Sequence, residues 1–267
     1  MNIREIEKRF DQCAPHYERH AALEQEVNDR LVERASFVRR QPGTIVDLGC
    51  GTGRASRALG ARFSEADIIC LDISRNMLVE TRKADGGGLV MFEVQADLTH
   101  LPMAARSADL VYSNLALQWA GDFEQAMNEV RRILRPGGMF LFSVPGPSSL
   151  QELHGLTKNG GGLQVPIYMP DLQDVGDLLV STGFTEPVMD CEFITLNYPG
   201  AEQMNAELAV TGGAGFAEIQ LPGMENEEVS VSFEVVYGLA FGPPEGQPVR
   251  TPEGETATFS VDQLRRQ

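Results

Sequence analysis

Three glycines alternate in the run Val46-Asp47-Leu48-Gly49-Cys50-Gly51-Thr52-Gly53, directly after a short β-branched segment. A strand that ends in such a turn lets a ligand approach backbone N–H groups at the start of the following helix. Two carboxylates stand where the next strands should end. Asp72 follows the glycines by about 20 residues, a position from which an acid accepts hydrogen bonds from both ribose hydroxyls. Asp97, in Gln95-Ala96-Asp97-Leu98, suits the exocyclic amine of adenine. Either acid alone would also serve as a helix cap or turn residue. Three strand ends in this order describe a nucleoside site, with Cys50, Ile73, Leu98 and Asn114 as further binding positions beside them.

The choice of nucleoside turns on charge. A dinucleotide's pyrophosphate wants G-x-G-x-x-G and a helix N-terminus free of carboxylates. Here Arg54 stands where the last glycine would be, and Asp47 precedes the first glycine by two residues. At about 4 Å, two charges interact by a few kcal/mol at a surface-like dielectric, enough to select the sign of a ligand. S-adenosylmethionine is cationic at its sulfonium and its ammonium, and Asp47 is placed to meet the ammonium.

These residues need strand ends on one edge of a sheet, and the chain supplies them. Thr44 to Leu48 reads as a strand and Arg54 to Phe63 as a helix. Strand Asp67–Asp72, helix Ser74–Ala84, strand Leu89–Ala96, strand Asp109–Asn114, helix Phe123–Leu134 and strand Met139–Val144 follow. This alternation predicts a parallel sheet with helices on both faces. Arg135-Pro136-Gly137-Gly138 predicts a helix stop and a glycine turn before the last of these strands. Ahead of the first strand, apolar residues at helical spacing (Ile6, Phe10, Leu23, Val27, Leu31) predict two helices interrupted at Pro15 and ended by Gln41-Pro42-Gly43. Beyond Pro145, a helix at Asp171–Thr182 and strands near Val188–Tyr198 and Val229–Phe241 would complete seven strands. The segment between those strands is expected to form a small lid.

The expected divisions are N-terminal helices over residues 1–40, a nucleoside-binding core over 41–145, lid helices and two last strands over 146–244, and a weakly ordered tail over 245–267. The formal net charge is -16. Residues 1–150 hold 18 Lys and Arg against 20 Asp and Glu, whereas residues 151–267 hold 4 against 18. Such a surface argues against nucleic acid. No uncharged apolar stretch is long enough to span a bilayer, and the charged start Asn2-Ile3-Arg4-Glu5 lacks a signal-peptide core, so a cytoplasmic enzyme off the membrane is expected. Cys13, Cys50, Cys70 and Cys191 are scattered without a C-x-x-C pair, predicting reduced, mostly buried thiols and no metal site. His16, His20, His100 and His154 likewise lack ligand spacing.

Over roughly residues 40–145 the set Val46–Gly53, Asp72, Asp97-Leu98 and Arg135-Pro136-Gly137-Gly138 resembles the class I S-adenosylmethionine-dependent methyltransferases, which implies a Rossmann-like α/β fold and that cofactor. Phe10-Asp11-Gln12-Cys13-Ala14-Pro15-His16-Tyr17, His20-Ala21-Ala22-Leu23, Ser113 to Trp119 and Phe233-Glu234-Val235-Val236-Tyr237-Gly238 are similar to the malonyl-acyl-carrier-protein O-methyltransferases of biotin synthesis. That resemblance implies methylation of a free carboxylate on a carrier-borne malonyl group. Tyr17 and Trp119 would then wall the transfer pocket, and Gln118 would donate to the acceptor carboxylate. The chain departs from the family before the Asp171–Thr182 helix, where Gln164-Val165-Pro166-Ile167-Tyr168-Met169-Pro170 lacks the family's arginine, and over Asn205 to Glu228, which has no basic residue. The carrier would therefore dock on the N-terminal half, on Arg4, Lys8 and Arg9 or on Arg131, Arg132 and Arg135, with Arg4 or Arg9 as donor to the substrate. The alternatives are a small-molecule carboxylate of the trans-aconitate type as acceptor, or a non-catalytic module that keeps the cofactor fold for assembly.

Overall fold

A computed structural model describes residues 2–38, 40–84, 90–153, 168–212, 227–245, 249–251 and 254–256. Five strands, β1 (Thr44–Leu48), β2 (Asp67–Asp72), β3 (Met91–Gln95), β4 (Ala108–Asn114) and β5 (Leu134–Pro145), pair in parallel. Two longer strands, β6 (Thr185–Tyr198) and β7 (Val229–Phe241), extend the sheet in antiparallel sense. The order β3-β2-β1-β4-β5-β7-β6 reverses direction between β1 and β4, so a crevice opens beyond their carboxyl ends. That reversal places the glycine turn after β1 at the centre of the molecule's upper edge.

The central strands lie between two helical layers and have apolar side chains on both faces, as parallel strands must. On one face, α2 (Ala22–Arg34), α3 (Arg54–Arg62) and α4 (Arg75–Ala84) bury Val27, Leu31, Leu59 and Leu78 against Ile45, Cys70 and Tyr112. On the other, α5 (Phe123–Ile133) and α6 (Leu172–Thr182) bury Met127, Val130 and Leu179 against Val46, Val111 and Phe140. Truncating a side chain such as Leu31, wholly buried in the first layer, costs about 2–5 kcal/mol.

Two expectations are corrected. The first helix, α1 (Ile3–His20), runs through Pro15 and stops at Ala21. Proline cannot donate to the carbonyl four residues earlier, and the carbonyl left over, that of Asp11, accepts from the Asn76 side chain at 2.9 Å. With that group satisfied, the helix has no reason to end there. The run Arg135-Pro136-Gly137-Gly138 is not a turn ahead of a strand. It lies within β5, where the register with β4 shifts, and Gly137 N–H and Gly138 C=O both bond to Gly242. Gly138 has no room for a side chain, because a Cβ would stand 3.0–3.1 Å from the carbonyl oxygens of Arg135, Ala108 and Asp109.

Between β6 and β7, α7 (Ala201–Thr211) buries Met204 and Leu208 and packs against α1. The N-terminal helix and the expected lid segment thus meet over the same end of the sheet. A hairpin of β8 (Val249–Thr251) and β9 (Gly254–Thr256) forms within the expected tail. His154, Gln164–Ile167 and residues 213–226 lie outside the described residues.

Candidate functional site

The turn after β1 is built from side chains that are missing and from one acid. Gly49, Gly51 and Gly53 all take positive φ (67°, 56° and 78°), which favours glycine. A Cβ at Gly49 would stand 2.3 Å from the Ala116 Cβ, and one at Gly53 would stand 2.6 Å from Thr81. Those two glycines therefore admit protein neighbours, whereas the nearest atom to a Cβ at Gly51 is Tyr17 Cε1, at 3.8 Å. Leu115, at φ +46°, makes the sharp bend after β4 that brings Ala116 onto Gly49.

Four of the turn's N–H groups are already used. Those of Gly49 and Cys50 bond to the Leu71 carbonyl, that of Gly53 to the Cys50 carbonyl, and that of Gly51 to Asp72 Oδ2 at 2.9 Å. A diphosphate would find no cradle of donors among them.

The cleft beside this turn encloses about 640 Å³ of non-protein space, part of it open to solvent. Gly49, Gly51, Asp72, Ile73, Asp97 and Leu98 line its floor and far end. Ile3, Ile6, Phe10 and Tyr17 of α1 roof it, and Asn114 and Trp119 close the β4 side. A second compartment shares Tyr17, Gly49, Gly51 and Asn114 with the first and adds Asp47, Cys50 and Glu24. The candidates named from sequence thus come together, except for Gln118, Arg4 and Arg9. Gln118 lines neither compartment: its Nε2 donates to the Leu115 carbonyl at 2.6 Å, and its Oε1 is buried without a partner among the described residues. A donor spent inside a short turn is not available to an acceptor carboxylate. Arg4 and Arg9, named as possible donors, are likewise exposed on α1 and absent from the cleft wall.

The acids have distinct environments. Asp72 Oδ1 accepts from Ser74 N–H at 2.8 Å while Oδ2 holds Gly51, and burial lifts its carboxyl to about 6 despite these bonds. Asp97 Oδ1 accepts from the Thr99 N–H and hydroxyl. Asp47 is 1% exposed and takes the Ser56 hydroxyl at 2.6 Å. Burial raises its pKa to about 7, with the Asp72 charge adding to the shift.

Glu24 was not named from sequence. Its Oε2 is buried without a partner among the described residues, and burial raises its pKa to about 8, a hydrogen bond with Thr211 at the end of α7 partly opposing this. Asn114 positions it, donating to the Glu24 carbonyl at 2.9 Å while accepting from Ser143. The signal was present as a charged residue in the apolar stripe of Glu24, Val27, Asn28 and Leu31. A buried carboxyl with one oxygen unpartnered among the described residues, in the same compartment as Asp47, fits a cation, and no phosphate fits there. The residues present suit S-adenosylmethionine on this ground.

Aromatic rings complete the roof. Phe10 meets Trp119 edge-on at 5.2 Å between centroids and Tyr17 at 6.4 Å. Burial lifts the Tyr17 phenol well above its ordinary value, so it stays neutral. The four cysteines are free, Cys50 and Cys70 buried and Cys13 and Cys191 half-buried. Among the described residues no helix is long and apolar enough to cross a membrane.

Residues 46–142 match the family described as Methyltransferase domain. The sheet order, the glycine turn and the acids at three strand ends define a class I methyltransferase, an enzyme whose cofactor is S-adenosylmethionine. Curated relatives narrow this further. A malonyl-acyl-carrier-protein O-methyltransferase of Methylovorus sp. is 35% identical over 261 residues, covering 89% of this chain and 88% of its own. One from Coxiella burnetii is 34% identical over 279 residues, covering 98% and 95%. The chain belongs to the malonyl-acyl-carrier-protein O-methyltransferase family. Solved structures share the fold at lower identity. Phosphoethanolamine N-methyltransferase 2 of Haemonchus contortus, in complex with S-adenosyl-L-methionine, superposes with a TM-score of 0.61 at 18% identity, covering 87% of this chain and 57% of that one. The YcgJ protein of Bacillus subtilis gives 0.60 at 15%, covering 83% and 100%.

Proposed function

We propose that this chain methylates the free carboxylate of a malonyl group held as a thioester on acyl carrier protein, a step in making the biotin precursor. The observation that carries the reading is the aromatic roof, Phe10, Tyr17 and Trp119, closed over the cofactor cleft by the same segments that resemble the family. Its support is the likeness to relatives of that name over nearly the whole chain.

When bound, S-adenosylmethionine supplies an electrophilic sulfonium methyl. Asp72 would hold the ribose hydroxyls on its free lone pairs, Asp97 the adenine amine, and Asp47 with Glu24 the ammonium end. Ile73 and Leu98 would flank the base. An ionised malonyl carboxylate is already a nucleophile at neutral pH, so no side chain has to remove a proton from it. The chain's task is then alignment and exclusion of water. Tyr17, Phe10 and Trp119 do this with neutral surfaces that admit an acyl chain and carry no charge against either reactant.

Incubating the protein with S-adenosylmethionine and malonyl carrier protein, followed by intact mass, tests the reading. One added methyl on the malonyl thioester is expected. Absence of that methyl alongside turnover of free dicarboxylates would replace the reading with a small-molecule acceptor, and cofactor binding without turnover of any acceptor would replace it with an assembly module.

A further inference from the structure

We infer that the outer face of α1 is the docking surface for the acidic carrier protein, an inference that rests on the malonyl-carrier reading above. At about 100° per residue, Arg4, Lys8 and Arg19 fall within roughly 60° of arc and span about 22 Å of helix. All three are exposed, and among the described residues none makes an ion pair. Arg75, exposed at the start of α4, lies between Ser74 and Asn76, both bonded to Asp11 of α1.

The acids of the same helix are hydrogen-bonded back onto the protein, which turns them away from the outward arc. Glu5 closes the capping box with Asn2, and Glu7 accepts from Gln95. Asp11 takes Ser74 and Asn76, while Glu18 takes Thr52 and Arg54. On a chain with a net charge of -16, the outward arc of the helix that roofs the cleft thus presents three bases that make no ion pair among the described residues. Complementary potentials of this kind set encounter rate and register with an anionic partner. The stripe begins at Arg4, next to Ile3 in the cleft wall, so a flexible acyl arm would enter round that end of the helix.

The other basic set of the N-terminal half is spent. Arg132 bonds to Glu129 and to the Leu101 and Met103 carbonyls, Arg135 pairs with Asp109, and Arg131 is partly buried against Gly183.

The test compares the wild-type protein, the triple variant Arg4→Glu, Lys8→Glu, Arg19→Glu and a control of equal charge change at the opposite strand ends, Arg40→Glu, Arg62→Glu, Arg106→Glu. Binding of fluorescently labelled holo acyl carrier protein is read by anisotropy, and methyl transfer to malonyl-coenzyme A by mass. The α1 variant should bind the carrier at least about tenfold more weakly, with the coenzyme A thioester methylated as before and the control close to wild type. Equal carrier binding by wild type and the α1 variant, equal losses in both variants, or no carrier binding by wild type would overturn the docking surface. Failure of wild type to methylate either malonyl thioester would instead overturn the substrate reading.

Discussion

The Gly51 N–H and Asp72 Oδ2, 2.9 Å apart, join the glycine turn to the acid at the end of β2. The two features act as one unit, so disturbing the acid also loosens the turn. Asp72→Asn removes the charge while keeping one acceptor. Cofactor affinity should fall about a hundredfold, corresponding to roughly 3 kcal/mol of charge-assisted hydrogen bonding. Isothermal calorimetry with unchanged circular dichroism checks this, and a loss below about threefold would remove Asp72 from the ribose site.

The raised carboxyls predict an unusual pH dependence. Asp72, Asp47 and Glu24 titrate at about 6, 7 and 8 in the folded chain, against about 4 in an unfolded one. Between those limits the folded state holds more protons than the unfolded state. These three groups therefore contribute stability that is present in full below about pH 4 and is lost as pH rises through 6 to 8. The cofactor-free protein should melt at a lower temperature at pH 8.5 than at pH 6.5. Adding the cationic cofactor should flatten the slope and release protons, seen as a buffer-dependent binding enthalpy.

Glu24→Gln separates stability from binding. The variant should melt higher than wild type at pH 8.5, because no buried charge forms, and should bind S-adenosylmethionine about tenfold more weakly for loss of one ion pair. Both effects in one variant distinguish a ligand-facing carboxylate from a structural one, which would move only the melting temperature.

Gly49→Ala should disturb the turn's upper edge chiefly through a clash with protein. Its Cβ would overlap Ala116 at 2.3 Å, at φ +67°. A cost of about 2 kcal/mol or more, read from urea midpoints, is expected. Gly51→Ala, whose Cβ would meet only Tyr17 Cε1 at 3.8 Å, should keep more of the stability than Gly49→Ala although φ is +56°, and should lose cofactor affinity.

The sheet was legible in the sequence because parallel strands buried on both faces read as apolar runs, and β1, β2 and β7 have the predicted limits. Asp72, Asp97 and the glycines were found by spacing along the chain. What escaped depended on contacts between distant segments. Glu24 becomes an acid in the site because Asn114 holds α2 over the strand ends, and Pro15 is harmless because Asn76 reaches the Asp11 carbonyl that it leaves without a donor. Gln118 has the right chemistry and the wrong direction, since a residue's number does not say which way a short turn aims its side chain. For Gly49 and Gly53, spacing shows the tight turn but not that Ala116 and Thr81 occupy the space a side chain would need.

Asn76→Ala should leave the Asp11 carbonyl without its donor, at a cost of about 1–2 kcal/mol. Amide exchange should accelerate across α1 and stay unchanged in β4, and cofactor should leave faster.

That one side chain also orders events in time. Helix α1 carries a gap in its ladder that a residue some 60 positions further along the chain fills. During synthesis α1 waits as an unfinished element until α4 has formed on the sheet. The roof precedes α4 along the chain yet is completed after it, so it closes over a floor that is already built.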